Sequence, residues 1–137
     1  MDTNVVNIRV TKTENGYCAG CDLLSGWVVA VTGNFLELEK EVRDSIDFYV
    51  ECAKIDNEEY PHIFDGEYEL HYIFNIESLL NYYGKIFTKA ALEHITGINQ
   101  KQLSHYACGR SVPRKETADK IIKALHALGQ ELMVVSV

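Results

Sequence analysis

From Val5 to Lys12 the chain reads Val-Val-Asn-Ile-Arg-Val-Thr-Lys, the two-residue alternation of a half-buried strand. Glu14-Asn15-Gly16 is a turn signal, and Tyr17 to Asp22 reads as a second strand folding back on the first. Leu24-Ser25-Gly26 marks another turn before the apolar run Trp27 to Val31, so the first three strands form an antiparallel meander. At Asn34 the period lengthens. Asn34 and Glu37 match a capping box, and Phe35, Leu38, Val42, Ile46, Tyr49 and Ala53 form one apolar helical stripe. Glu37, Glu41, Asp44, Asp47 and Glu51 fall outside it. Asn57 to Pro61 ends this helix, and Glu67 to Phe74 alternates again, with Tyr68, Leu70, Tyr72 and Phe74 on one side.

The second half follows a helical period almost throughout. Asn75 or Ser78 can cap a short helix through Tyr83, with Leu79, Leu80 and Tyr83 inward. Thr88 caps a helix from Lys89 to Ile95, and another runs from Asn99 to about Cys108. After Pro113 a long helix spans about Arg114 to Leu128, burying Thr117, Ala118, Ile121, Ile122, Leu125 and Leu128. Gly129 is placed to end it, leaving Glu131 to Val137 as a short β-prone tail. The expected class is α+β. Residues 1–74 form a small antiparallel sheet with one helix, and residues 75–137 form an all-α unit with a short C-terminal strand.

A chain of 137 residues, 47% hydrophobic and 24% charged, folds as one ordinary domain or two small ones. No apolar run approaches the ~20 residues needed to span a bilayer, and Met-Asp-Thr-Asn lacks the pattern of a signal peptide; a cytoplasmic protein away from membranes is expected. The net charge of −7 argues against nucleic acid, but its distribution reverses that. Residues 1–74 carry 5 Lys+Arg against 15 Asp+Glu, a balance of −10, whereas residues 75–137 carry 8 against 5, a balance of +3. The later cations cluster at Lys101, Arg110, Arg114, Lys115, Lys120 and Lys123, as when one half meets phosphate. Cys18 and Cys21 make a Cys-x-x-Cys with no second pair to complete a zinc site, and on a strand positions three apart point to opposite faces.

The densest chemistry lies in Gly97-Ile-Asn-Gln-Lys-Gln-Leu-Ser-His-Tyr-Ala-Cys-Gly109. Gly97 suits a tight turn with positive φ. Ile98 and Leu103 are apolar anchors, and Asn99 caps the next helix with Gln102 as its capping-box partner. Gln100, Lys101, Ser104 and His105 then face outward. This stretch resembles the turn and recognition helix of a helix-turn-helix domain of phage-repressor type. One departure is Thr96, where such motifs usually place an apolar residue before the glycine.

Together with Asn15-Gly16-Tyr17, Leu24 to Val29, Thr32 to Leu38 and Pro113 to Leu132, the motif resembles the HicB antitoxin family over most of the chain. The resemblance implies a partial ribonuclease-H-like fold for residues 1–74 as a toxin-binding domain. It implies a helix-turn-helix DNA-binding and dimerisation domain for residues 75–137. It also implies an antitoxin that silences a small basic, RNA-cleaving HicA-like toxin and represses its own operon. On charge alone the acidic helix face reads as a solvated surface, and it is the resemblance that turns the reading toward a toxin-binding face. A stand-alone helix-turn-helix regulator, whose first unit binds a ligand or only dimerises, is the alternative.

The residues expected at DNA are Asn99, Gln100, Lys101, Ser104, His105, Arg110, Arg114 and Lys115. Gln100 suits a bidentate contact to adenine, Lys101 and His105 follow, Ser104 holds a phosphate, or a base through water, and the two arginines and Lys115 grip the backbone. Tyr106 packs. Double-stranded operator DNA calls for a homo-oligomer, a dimer or dimer of dimers, with the tail as a candidate pairing strand. No enzyme, cofactor or metal is expected. Only Asp22 among the acids lies near an early strand end, and His62, His71, His94, His105 and His126 show no HExxH or other ligand spacing. No glycine-rich phosphate loop occurs.

Overall fold

The structure is a computed structural model that describes residues 4–137. It divides into two compact units, one running to Asn75 and the other spanning Ile76–Val137. The first contains β1 (Asn4–Lys12), β2 (Gly16–Gly20), β3 (Val28–Thr32), α1 (Phe35–Ile55), a 3₁₀ turn (His62–Asp65) and β4 (Tyr68–Phe74). The second contains α2 (Ile76–Tyr83), α3 (Lys89–Thr96), α4 (Gln100–Ala107) and α5 (Lys115–Met133). None of these helices is long and apolar enough to cross a membrane.

The sheet order is β3-β2-β1-β4. The meander forms as its alternation implies, with Arg9 opposite Gly20 and Cys18 opposite Ala30. Gly16, at the start of β2, lets the end of β3 come close: a Cβ there would collide with the Val31 carbonyl oxygen. The expectation of a wholly antiparallel sheet is corrected by β4, which pairs parallel to β1 from Asn4–Tyr68 to Val10–Phe74. A parallel return needs a crossover, and α1 supplies it, passing from one sheet edge to the other.

Crossing the sheet is also what buries α1. Leu38, Val42 and Ile46 are inaccessible to solvent, and they pack with Val6, Ile8, Val10, Ala19 and Val29 from the sheet. Val50 is buried as well, in place of the half-buried Tyr49 of the expected stripe. Asn34 caps α1 by accepting from the Glu37 amide at 3.0 Å. The Phe35 ring then meets Tyr17 and Tyr72 edge-on, at centroid distances of 5.7 and 5.1 Å. Trp27 Nε1 donates to Ser45 Oγ at 2.8 Å, tying the approach to β3 to the middle of α1.

In the second unit Leu80, Leu92, Leu103, Tyr106, Ala107 and Ile121 form a separate core. Two expectations fail at its C-terminal end. Gly129 does not terminate α5, which runs on to Met133, and the tail is no strand. The good helix formers around Gly129 outweigh its cost of ~1 kcal/mol. A tail strand would have no partner in a unit whose regular elements are all helical.

Candidate nucleic-acid interface

Residues 97–99 join α3 to α4. Thr88 Oγ1 starts α3 by accepting from the Ala91 amide at 3.0 Å, and Gly97 ends it in the left-handed region at φ 75°. At this φ any side chain is strained, which makes glycine the residue that reverses the chain here. Thr96 is 4% exposed, and its hydroxyl donates to the Leu92 carbonyl at 2.7 Å and accepts from the Ile98 amide at 3.1 Å. The threonine therefore occupies an apolar position with its polar atom satisfied.

Asn99 caps α4, but one residue earlier than a capping box requires. Its Oδ1 accepts from the Lys101 amide at 2.8 Å. Gln102 takes no part in the cap, because its Nε2 donates to Ser111 Oγ at 3.3 Å and so ties α4 to the loop before α5. The reciprocal group comes from α3 instead. Glu93 accepts from the Gln100 amide at 3.1 Å and from Gln100 Nε2 at 3.3 Å. A carboxylate at the positive end of a helix is favourable, and it holds the Gln100 side chain in one direction. Glu93 was not among the expected site residues. It lies seven residues before its partner and across the turn, beyond the reach of any local capping rule.

Leu103 is inaccessible to solvent and Tyr106 is buried, so both serve packing. Asn99, Gln100 and Lys101 are exposed, whereas Ser104 and His105 are half-buried at the margin of the same face. The last two, expected to face outward, are thus partly covered by neighbouring residues. Arg110, Arg114 and Lys115 are exposed beyond α4, and Lys120 lies beside Gly97. Among the described residues none of these cations, nor Lys101 or Lys123, forms an ion pair. Asn99 and Glu93 already occupy two amides at the α4 N-terminus.

The first unit gathers no comparable chemistry. Asp22 pairs with Arg9 at 3.1 Å on the surface. Cys18 is half-buried and Cys21 buried, and neither is in a disulfide. Among the described residues no group of three or more His, Cys, Asp or Glu is placed to hold a metal ion. Asp65 accepts from Tyr60 Oη at 2.8 Å and lies 2.9 Å from His62 Nδ1. These two hydrogen bonds, His62 first, hold its carboxyl below the usual carboxylate value.

No protein-family model, curated protein or solved structure matches the chain. Its functional reading therefore rests on its own residues and their geometry.

Proposed function

We propose that the chain is a HicB-like antitoxin of a type II toxin–antitoxin pair, acting in the cytoplasm, which neutralises a small basic RNA-cleaving toxin and represses its own operon. The observation that carries the DNA half is the α3–α4 pair. A glycine turn and two caps hold α4 with Gln100 and Lys101 exposed at its start, beside a set of unpaired cations. As the recognition helix of a helix-turn-helix, α4 enters the major groove N-terminus first, with Gln100 aimed by Glu93 toward a base edge. Arg110, Arg114 and Lys115 hold the phosphates. The toxin half is supported by the −10 balance of residues 1–74, suited to cover a basic RNA-binding surface. The three-strand meander, crossover helix and parallel fourth strand support the ribonuclease-H-like reading of that unit.

Specific operator binding calls for two copies, and α5 supplies a seam for them. Ala118, Ile121, Leu125, Leu128 and Leu132 follow heptad spacing. Ile121 and Leu125 belong to the unit's own core, while Leu132 is 60% exposed on the last turn. Two copies pair along this projecting end.

The test is operator binding by the full chain against a salt series. Gln100→Ala relaxes sequence preference, and Lys115→Ala weakens binding to every DNA and lowers the salt slope by about 1. Both variants binding like the parent would overturn the α4 assignment. Co-purification from the host of a small basic protein that cleaves RNA once released supports the antitoxin role. Operator binding without such a partner favours the stand-alone regulator.

A further inference from the structure

The sheet of the first unit has two edges, and they are built differently. β4 carries Glu69 and His71, 3.2 Å apart, on its solvent side. Charges of this kind are how an edge strand avoids pairing with foreign strands. β3 has none of the usual protection. Val28-Val29-Ala30-Val31-Thr32 contains no charge and no proline, and it pairs with β2 residue for residue without a bulge. Among the described residues no strand lies on its other side, so alternate amides and carbonyls of β3 face outward.

A cleft of about 360 Å³ runs beside this edge, where the start of β3 meets the second half of α1. Trp27 and Val28 line it from the strand side, Ser45, Tyr49 and Cys52 from the helix, and Asp56 and Glu58 at its end. The apolar surface is not tucked away: Val28 is 67% exposed and Phe48, also on the cleft, 68%. α1 carries six acids against three cations. Glu37, Glu41, Asp44, Phe48, Glu51 and Ile55 recur every three or four residues as one exposed stripe. The stripe includes Phe48 of the cleft wall and contains no cation. Of the three cations of α1, Lys40 borders the stripe, four residues before Asp44, and the other two meet other groups. Arg43 acts on Tyr68 and Tyr72 of β4, and Lys54 is 3.7 Å from Asp65.

From these three features, and resting on the reading of the first unit as a partner-binding module, we infer that the β3 edge docks an extended basic segment of a protein partner as a fifth strand. Main-chain hydrogen bonds to β3 supply the register. Apolar residues of the incoming strand enter the cleft over Trp27 and Tyr49, and its lysines or arginines meet the acidic stripe of α1. A second copy of this chain fits poorly, since it would set one acidic stripe against another.

The test uses the full chain and a random library of peptides about ten residues long, selected for binding and mapped by amide hydrogen exchange. The expected binders alternate apolar with basic residues and slow exchange within Val28–Thr32. Methylating alternate backbone nitrogens of the best binder abolishes protection, and the double variant Asp44→Asn, Glu51→Gln weakens it about tenfold, equivalent to about 1.4 kcal/mol, with unchanged melting. Recovery of no binder, of acidic binders, of binders that protect another surface, or equal binding by the methylated peptide would each overturn the inference. So would β3 protection in the peptide-free chain that fades on dilution, since a second copy would then hold the edge. The antitoxin reading fails separately. A toxin complex that leaves β3 exchanging as in the free chain sinks the strand-docking inference alone, whereas peptide docking at β3 with no toxin in the host sinks only the antitoxin role.

Discussion

Replacing Thr96 by valine sets two physical effects against each other at one buried atom. Burying a methyl where a hydroxyl stood gains about 0.8 kcal/mol, and helix propensity is nearly unchanged because both residues are β-branched. Against this, the Ile98 amide loses the 3.1 Å acceptor in the turn. A part-buried donor left without a partner costs roughly 1–3 kcal/mol. The Leu92 carbonyl, to which the hydroxyl donates at 2.7 Å, loses a bond from one of its two lone pairs, a smaller effect. The balance is about 1 kcal/mol of destabilisation, a fall in Tm of roughly 4–8 °C for a unit of this size. The assay must report the second unit. The single tryptophan is Trp27 in the first, so its fluorescence is blind to the change, and helical circular dichroism is the signal to follow. Thr96→Ser separates the causes. It loses a buried methyl but keeps the hydroxyl, so the Ile98 amide stays slow in hydrogen exchange, whereas in Thr96→Val it becomes fast. A valine variant as stable as the parent with a protected Ile98 amide would refute the reasoning and make position 96 a plain apolar anchor.

Alkaline pH tests the packing of α1 on β4. Burial, and then the nearby Glu39 carboxylate, raise the Tyr72 phenol above its ordinary 10.0 although Arg43 opposes them. The folded state therefore holds this proton longer than the unfolded chain. The contribution is intact below pH 10.0, falls as pH rises past that value, and is fully lost above the folded-state value. Tyrosinate absorbance should show a late phase to which Tyr60, Tyr68 and Tyr83 also contribute; Tyr72→Phe should reduce its amplitude by one tyrosine, and a single phase common to all eight tyrosines would contradict it. At the C-terminus, Leu132→Glu should convert dimers to monomers in light scattering and weaken operator binding without lowering the helical signal of one copy. An unchanged mass would remove α5 from the interface.

The features legible in the sequence are those decided within a few residues. The alternation of Val5 to Lys12, the Asn34 cap, the left-handed Gly97 and the burial of Leu103 each follow from local sterics, one hydrogen bond or a period that presents one apolar face. Most of the candidate DNA face was readable for the same reason, since Gln100, Lys101 and the flanking cations sit on or beside a short helix whose start is signalled by Asn99. What escaped depends on groups brought together from afar. Glu93 reaches Gln100 across a turn, Gln102 is diverted from its cap by Ser111, and Ser104 and His105 are half-covered by packing that spacing does not reveal. The parallel pairing of β4 with β1 is likewise a matter of where a 21-residue helix delivers the chain. Alternating strands bury the same face whether they run parallel or antiparallel. The sequence by itself determined which residues turn inward and where helices begin. Only the tertiary structure decided which strands became neighbours, which edge was left bare, and that the C-terminal segment, with no strand to pair with, stayed helical to Met133.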